Sequence, residues 1–290
     1  MAEWIWELLD GPDTITEGPA WDGQALYYTA IDHDEIRRFD PVTGEISVVY
    51  GDTGATNGLI FGSDGTLYGC AGGARQMLRF NADGSRDVLA DSFEGKRLNS
   101  PNDLVLDSQG RIWFTDPRYG DESDRELDHD SVYRITPPVS GEGAWQIERM
   151  TFDTTKPNGI LLGWDEQTLY VAQSDHNPAA PRQLRAYPIL ADGTLGECRV
   201  LHDFGAWRGI DGMRWDSEGN IVATCGTERG GPGPSITVFA TDGTVLEEHR
   251  LPADDPTNCH FGGENRDILF VTTMNGRLYR IANPGRRGRA

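Results

Sequence analysis

A polar residue, then a small one, then a short apolar run recurs six times along the chain. The copies begin at Glu17-Gly18, Asn57-Gly58, Asn102-Asp103, Asn158-Gly159, Asp211-Gly212 and Asn258-Cys259. Every leading residue is a carboxylate or a carboxamide, and successive copies lie 40 to 56 residues apart. Behind the leader comes a strand, a turn and a second apolar or aromatic pair. The second copy reads Leu59-Ile60-Phe61, Ser63-Asp64-Gly65, Leu67-Tyr68. The third reads Leu104-Val105-Leu106, Ser108-Gln109-Gly110, Ile112-Trp113-Phe114, and the fifth Met213-Arg214-Trp215, Ser217-Glu218-Gly219, Ile221-Val222. A fixed offset through a glycine-containing turn to a β-rich pair is a hairpin pattern. A repeat of this length is that of a four-stranded propeller blade. The pattern predicts an all-β chain, a six-bladed β-propeller, with residues 1–290 forming a single domain. The six leaders would open the innermost strands and converge on the axis.

The ends of the chain complete this picture. Trp4–Leu9 is rich in strand formers but precedes the first leader. The sixth copy has recognisable strands only at Ile268–Thr272 and Arg277–Ile281 after its inner one. The N-terminal strand is therefore expected to complete the last blade from outside, which removes an open sheet edge. Residues 283–290, with Pro284, Gly285 and four residues of Arg-Arg-Gly-Arg, are expected to form a flexible tail. Three loops stand out: Asp116–Asp130 in blade three with seven acidic residues, Ser174–Arg182 with Pro178 and Pro181 in blade four, and the Gly- and Pro-rich Thr227–Pro234 in blade five. Long loops on a rigid β scaffold build the mouth of a site.

Charge narrows the partners. Lys plus Arg number 26 and Asp plus Glu 46, a formal net charge of −20. That balance argues against nucleic acid and anionic membrane surfaces. No apolar run is long enough to span a bilayer. Met1-Ala2-Glu3 and the residues after it lack a basic, then apolar, leader pattern. Cys70, Cys198, Cys225 and Cys259 form no CxxC and are too few for a disulfide scaffold, so a cytoplasmic protein with reduced thiols is expected.

The six leaders supply only oxygen: two carboxylates, Glu17 and Asp211, and four carboxamides, Asn57, Asn102, Asn158 and Asn258. Such a set suits one divalent cation, Ca2+ first, with Zn2+, Mn2+ or Mg2+ as further occupants. Zn2+ prefers nitrogen and sulfur, and the adjacent Cys259-His260 does not by itself make a zinc site. Nothing resembles a G-x-S-x-G elbow, an H-E-x-x-H helix, a P-loop or a dinucleotide-binding glycine motif. Most of the six histidines are expected at the surface. His129 and His176, within the long loops, are the two placed to face the mouth.

The motifs Glu17-Gly18-Pro19-Ala20-Trp21, Ser100-Pro101-Asn102-Asp103, Phe114-Thr115-Asp116-Pro117-Arg118-Tyr119-Gly120, Lys156-Pro157-Asn158-Gly159 and Gly209-Ile210-Asp211-Gly212-Met213 together resemble the SMP-30/gluconolactonase/LRE family of regucalcin-like propellers. The resemblance spans Glu17 to Ile281. It implies hydrolysis of a sugar lactone with one divalent metal at the axis. It places metal ligands at Glu17, Asn158 and Asp211, with Asn102 as a further ligand or a substrate contact. Asp211 is the expected base or nucleophile. Animal members carry an arginine where this chain has Ser100. Substrate contacts are therefore sought at Asn102, Asp103, Arg118, Tyr119 and His129. The expected partner is a small-molecule lactone. Two alternatives share the scaffold: a phosphotriesterase-type hydrolase on the same metal cage, and a non-enzymatic binding propeller with a structural metal.

Overall fold

The computed structural model describes residues 4–139, 141, 143–177 and 179–289. Met1-Ala2-Glu3, Pro178 of the blade-four loop and Ala290 of the tail lie outside the described residues. Six four-stranded antiparallel sheets account for the repeats. Their innermost strands are Thr16–Trp21, Thr56–Phe61, Leu104–Leu106, Pro157–Leu162, Ile210–Trp215 and Pro256–Gly262. The outermost strand of each blade is the least buried. Thr16–Trp21 and Pro157–Leu162 are buried at every position, whereas the outer strand Val245–Arg250 has no buried residue. Inner strands are covered on both faces, which is why they read as continuous apolar runs rather than as alternation. The core lies between the blades. Trp113 and Val132 of blade three meet Ile160, Leu162, Leu169 and Val171 of blade four, and Val222, Ile236 and Val238 of blade five meet Cys259, Phe261, Leu269 and Val271 of blade six.

In five of the six blades a β-bulge lies at or beside the polar-small dipeptide. In blade two, Thr56 pairs with Ala71 and Leu59 with Gly69, so Asn57 and Gly58 oppose one residue. The same two-against-one break occurs at Asn158-Gly159, at Asp211-Gly212, at Thr257-Asn258 and at Gly18-Pro19 beside Glu17. A bulge leaves ladder groups unpaired and re-aims a side chain. Threonines on the facing strand answer part of that need. The Thr224 hydroxyl accepts the Gly212 N–H at 3.0 Å, the Thr272 hydroxyl that of Asn258 at 3.2 Å, and the Thr115 hydroxyl that of Asp103 at 3.1 Å.

Other bonds join each blade to the next. Thr29 Oγ1 donates to the Asn57 carbonyl at 3.0 Å, and Gly58 N–H to the Asn102 carbonyl at 2.8 Å. The Asp103 carboxylate accepts the Ile160 N–H, and the Ser174 hydroxyl meets the Ile210 carbonyl. Thr224 Oγ1 reaches the Thr257 carbonyl at 2.8 Å, and Thr257 Oγ1 donates to the Thr16 carbonyl at 2.7 Å. The blades approach so closely here that the glycines of these bulges have no room for a side chain. A Cβ on Gly159 would stand 2.3 Å from the Asp211 carbonyl, and one on Gly212 would stand 2.1 Å from the Asn258 carboxamide.

The ring closes as the sequence predicts, with the N-terminal strand outermost in blade six: Glu7–Asp10 pairs with Leu278–Ala282. Trp4 and Trp6 are not in that strand. Trp4 stacks on His249 of blade five at 3.7 Å between ring centroids, and its Nε1 donates to the Pro284 carbonyl at 3.1 Å.

Two expectations fail. Residues 283–289 do not hang free. Arg286 pairs with the buried Asp216 at 2.5 Å and with Glu247 at 2.7 Å, the Arg287 carbonyl accepts the Ser217 N–H at 2.7 Å, and Arg289 lies over Trp164 at 5.0 Å. The basic tail docks because blade five offers acidic groups to it. The blade-five stretch Thr227–Pro234 is also not a long loop. Strands Ile221–Thr227 and Gly230–Phe239 leave only Glu228 and Arg229 between them. Gly226 and Gly233, at φ of 77° and 94°, allow a bulged hairpin that periodicity alone does not reveal.

Gly159→Ala drives a methyl into backbone rather than into a flexible side chain. It is expected to destabilise the protein by about 1–3 kcal/mol, read as a lower urea midpoint. An unchanged midpoint would show that the blades have slack at this contact.

Candidate active site

Five of the six leaders, Glu17, Asn57, Asn102, Asn158 and Asp211, line one cavity of about 470 Å³ at the end of the ring where the inner strands begin. The sixth stands behind. Asn258 is 1% exposed and donates from Nδ2 to Glu17 Oε2 at 3.1 Å. Gly18 N–H reaches the same oxygen at 2.5 Å. The bulge thus supplies both the direction of Glu17 and one of its hydrogen-bond donors. Across the floor, Arg208 Nη2 donates to Asp211 Oδ2 at 2.6 Å, and the Asn158 side chain also bonds Asp211.

The site is recessed and acidic. Burial first, then the charges of Asp211 and Asp103, hold the Glu17 carboxyl well above the usual carboxylate range. Burial also pushes Asp211 up to about 6, against the opposing pull of Arg208. Asn57 Oδ1 is buried with no hydrogen-bond partner among the described residues. Two desolvated carboxylates, an orphaned carboxamide oxygen and the carboxamides of Asn102 and Asn158 fit a hard divalent cation with oxygen ligands. The set depends on carboxamides: among the described residues no three His, Cys, Asp or Glu side chains gather as a metal cluster. Cys259 and His260 stand apart from it. Cys259 Sγ faces the Val222 carbonyl at 3.5 Å, and His260 Nδ1 lies 2.7 Å from the Phe261 carbonyl.

Tyr119 is the residue that the Asp116–Asp130 loop delivers. It lines the cavity, accepts a hydrogen bond from Asn158 Nδ2 at 3.3 Å, and stacks on His176 with ring centroids 4.9 Å apart. Burial, then the Asp211 charge, keep its hydroxyl protonated.

Three expected substrate contacts do not line the cavity. Arg118 turns into its own loop, donating to the Asp121 carbonyl at 2.9 Å, the Asn99 carbonyl at 3.2 Å and Asp124 at 2.5 Å. His129 bonds the Ser131 hydroxyl at 2.7 Å. Asp103 is 2% exposed; it accepts the N–H groups of Leu104 and Ile160, with Arg214 3.8 Å from Oδ2, so it joins blade three to its neighbours.

The acidic residues of the loop are anchors. Lys156 Nζ lies 2.8 Å from both Glu122 and Asp130, Arg125 pairs with Asp130 at 2.7 Å, and Arg75 with Asp124 at 3.1 Å. Asp116 accepts the N–H groups of Asn99 at 2.8 Å and Ser100 at 2.7 Å, which shapes the approach to Asn102.

Sequence reasoning missed Arg182, Arg208, Arg229 and Asp255, all of which line the cavity. Arg182 and Arg229 lie in two loops expected at the mouth, and Arg208 stands three residues ahead of an axial carboxylate in Arg208-Gly209-Ile210-Asp211.

The geometry has counterparts. The model of the SMP-30/gluconolactonase/LRE-like region matches residues 15–275. A gluconolactonase of Zymomonas mobilis is 30% identical over 298 residues, covering 93% of this chain and 79% of its own length. The pentonolactonase XacC of Haloferax volcanii is 25% identical over 278 residues, covering 94% of this chain and 86% of its own. The solved gluconolactonase XC5397 of Xanthomonas campestris superposes with a TM-score of 0.83 at 31% identity, over 97% of this chain and 90% of that one. The chain belongs to the SMP-30/gluconolactonase/LRE-like family of six-bladed propellers.

Lys156→Met removes the cation between Glu122 and Asp130. It is expected to speed amide hydrogen exchange across residues 117–130 by at least tenfold, measured by mass spectrometry. Unchanged protection would mean that the remaining arginine pairs hold the loop alone.

Proposed function

We propose that the protein hydrolyses a sugar lactone, using a divalent cation, calcium first among them, held at the propeller axis. It is a lactonase, a carboxylic ester hydrolase. What supports the finer reading is the convergence of Glu17 and Asp211 with Asn57, Asn102 and Asn158 on one cavity. Glu17, Asn158 and Asp211 would hold the cation, with the Asn102 carboxamide beside them and the orphaned Asn57 oxygen within the same wall. Bound there, a hard cation supplies Lewis-acid polarisation of the lactone carbonyl and stabilises the developing oxyanion.

The side chains do the rest. Arg208 fixes Asp211 Oδ2 and with it the plane of that carboxylate. The Asp211 carboxylate, held in place by Arg208 and Asn158, is the group positioned to take a proton from an attacking water. The water oxygen bonds to the carbonyl carbon, the ring C–O bond breaks, and the proton held by Asp211 passes to the departing alkoxide. The product is the open hydroxy acid. Tyr119, whose oxygen already accepts from Asn158, keeps its own proton to orient a lactone oxygen.

Hydrolysis of D-glucono-1,5-lactone, followed by proton release, is expected to stop in excess chelator and return on adding calcium. Full turnover in chelator would remove the cation from the reaction. Asp211→Asn is expected to lower kcat by about 10²–10⁴-fold, with weakened calcium binding still visible by calorimetry. A wild-type rate in that variant would strip Asp211 of its role.

A further inference from the structure

Four arginines are buried among the described residues: Arg75, Arg134, Arg182 and Arg185. Three have a carboxylate partner, Arg75 with Asp124 at 3.1 Å, Arg134 with Glu148 at 2.7 Å and Arg185 with Asp153 at 3.9 Å. Arg182 has none among the described residues, although the chain carries 46 acidic residues against 26 basic ones. It is 6% exposed, and among the described residues its guanidinium makes one long hydrogen bond, to the Gly205 carbonyl at 3.5 Å. It lines the active-site cavity.

The other charges there are engaged with one another. Arg208 holds Asp211, donates to the carbonyls of Gly226 at 3.1 Å and Pro256 at 3.0 Å, and lies 3.7 Å from Asp255. Arg229 is 82% exposed and pairs with Asp255 at 3.1 Å. Asp175 accepts the Thr155 hydroxyl at 2.6 Å and the Asn177 N–H at 2.8 Å. Arg182 is therefore the cavity's one buried cation without a protein counter-charge among the described residues.

A guanidinium offers five donors in a planar fork, and burying a charge without a partner is costly. The partner that fits the fork is a planar or tetrahedral oxyanion, bound through two parallel hydrogen bonds. Arg182 opens the third strand of blade four, Arg182–Pro188, two strand spacings or roughly 10 Å out from the inner strand. It thus stands on the side wall, away from the axial carboxylates. We propose that the cavity takes lactones of acidic sugars, whose end remote from the ester carries a carboxylate or phosphate gripped by Arg182. This rests on the lactonase reading and narrows its substrate class.

The test compares kcat/KM for D-glucono-1,5-lactone, D-glucaro-1,4-lactone and 6-phospho-D-glucono-1,5-lactone, and calorimetric Kd values for the open acids D-gluconate, D-glucarate and 6-phospho-D-gluconate. The wild type is expected to favour an anionic lactone by about 10- to 100-fold, as one charge-assisted contact supplies. The two anionic arms tell carboxylate from phosphate. Arg182→Gln should shrink the preference below threefold, and Arg182→Lys should keep part of it, with thermal unfolding confirming that both variants fold. Turnover of the neutral lactone with no anionic preference overturns this inference alone. So does a preference that survives in Arg182→Gln. Absence of any turnover, with an Arg182-dependent preference for the anionic acids in binding, overturns the lactonase reading and supports the anion site. Absence of both overturns both.

Discussion

The inner ring of blade-to-blade hydrogen bonds is the constraint on which the rest depends. Each bulge interrupts its own ladder, and buried backbone groups left unpaired are costly. The structure meets much of that need sideways. Thr29 serves the carbonyl of Asn57, Gly58 that of Asn102, and Thr257 that of Thr16. The bonds that stitch the ring together are thus the ones that make the bulges tolerable. A slip in one blade would disturb the next blade's carbonyl as well as its own, so the axial side chains are fixed by the closed circle and not by any blade alone.

The same arrangement explains how two carboxylates persist near the axis of a protein already rich in negative charge. Glu17 is held by Gly18 and Asn258, and Asp211 by Arg208 and Asn158. Each is oriented by donors that belong to the rigid inner strands or to the residues just before them. The second layer of the site is built differently. Tyr119 arrives on a loop held by ion pairs, with Lys156 placed two residues before Asn158 and so tying loop and inner strand together. Floor and mouth therefore have distinct physical origins: backbone geometry for one, paired charge for the other.

Much of this was legible in the sequence because it repeats. Six polar leaders at blade-length intervals gave the ring, and the missing strand at the C-terminal end gave the closure by Glu7–Asp10. A single glycine beside an asparagine reads as a turn. Only the register shows that Asn57-Gly58 and Asn158-Gly159 are bulges. What escaped was set by packing in three dimensions. Arg118 and His129 stand in the loop expected to form the mouth, yet both turn inward to hold it together. Arg182 ends a loop already expected at the mouth, but its isolation from carboxylates is visible only after every other arginine is placed. The tail misled for a compositional reason: Pro284, Gly285 and clustered arginine read as solvated chain until the acidic turn of blade five is seen opposite.

The seam at blade six has a temporal side. Glu7 and Arg280, joined by a bidentate ion pair at 2.7 and 3.0 Å, are 273 positions apart. A ribosome adding about 5–20 residues per second needs roughly 14 to 55 s to travel between them. Throughout that interval the nascent Glu7–Asp10 segment has no strand to join, while earlier blades can already stack on one another. Closure is consequently a late, long-range event, and Trp4 and Trp6 must wait beside it before finding their shelter.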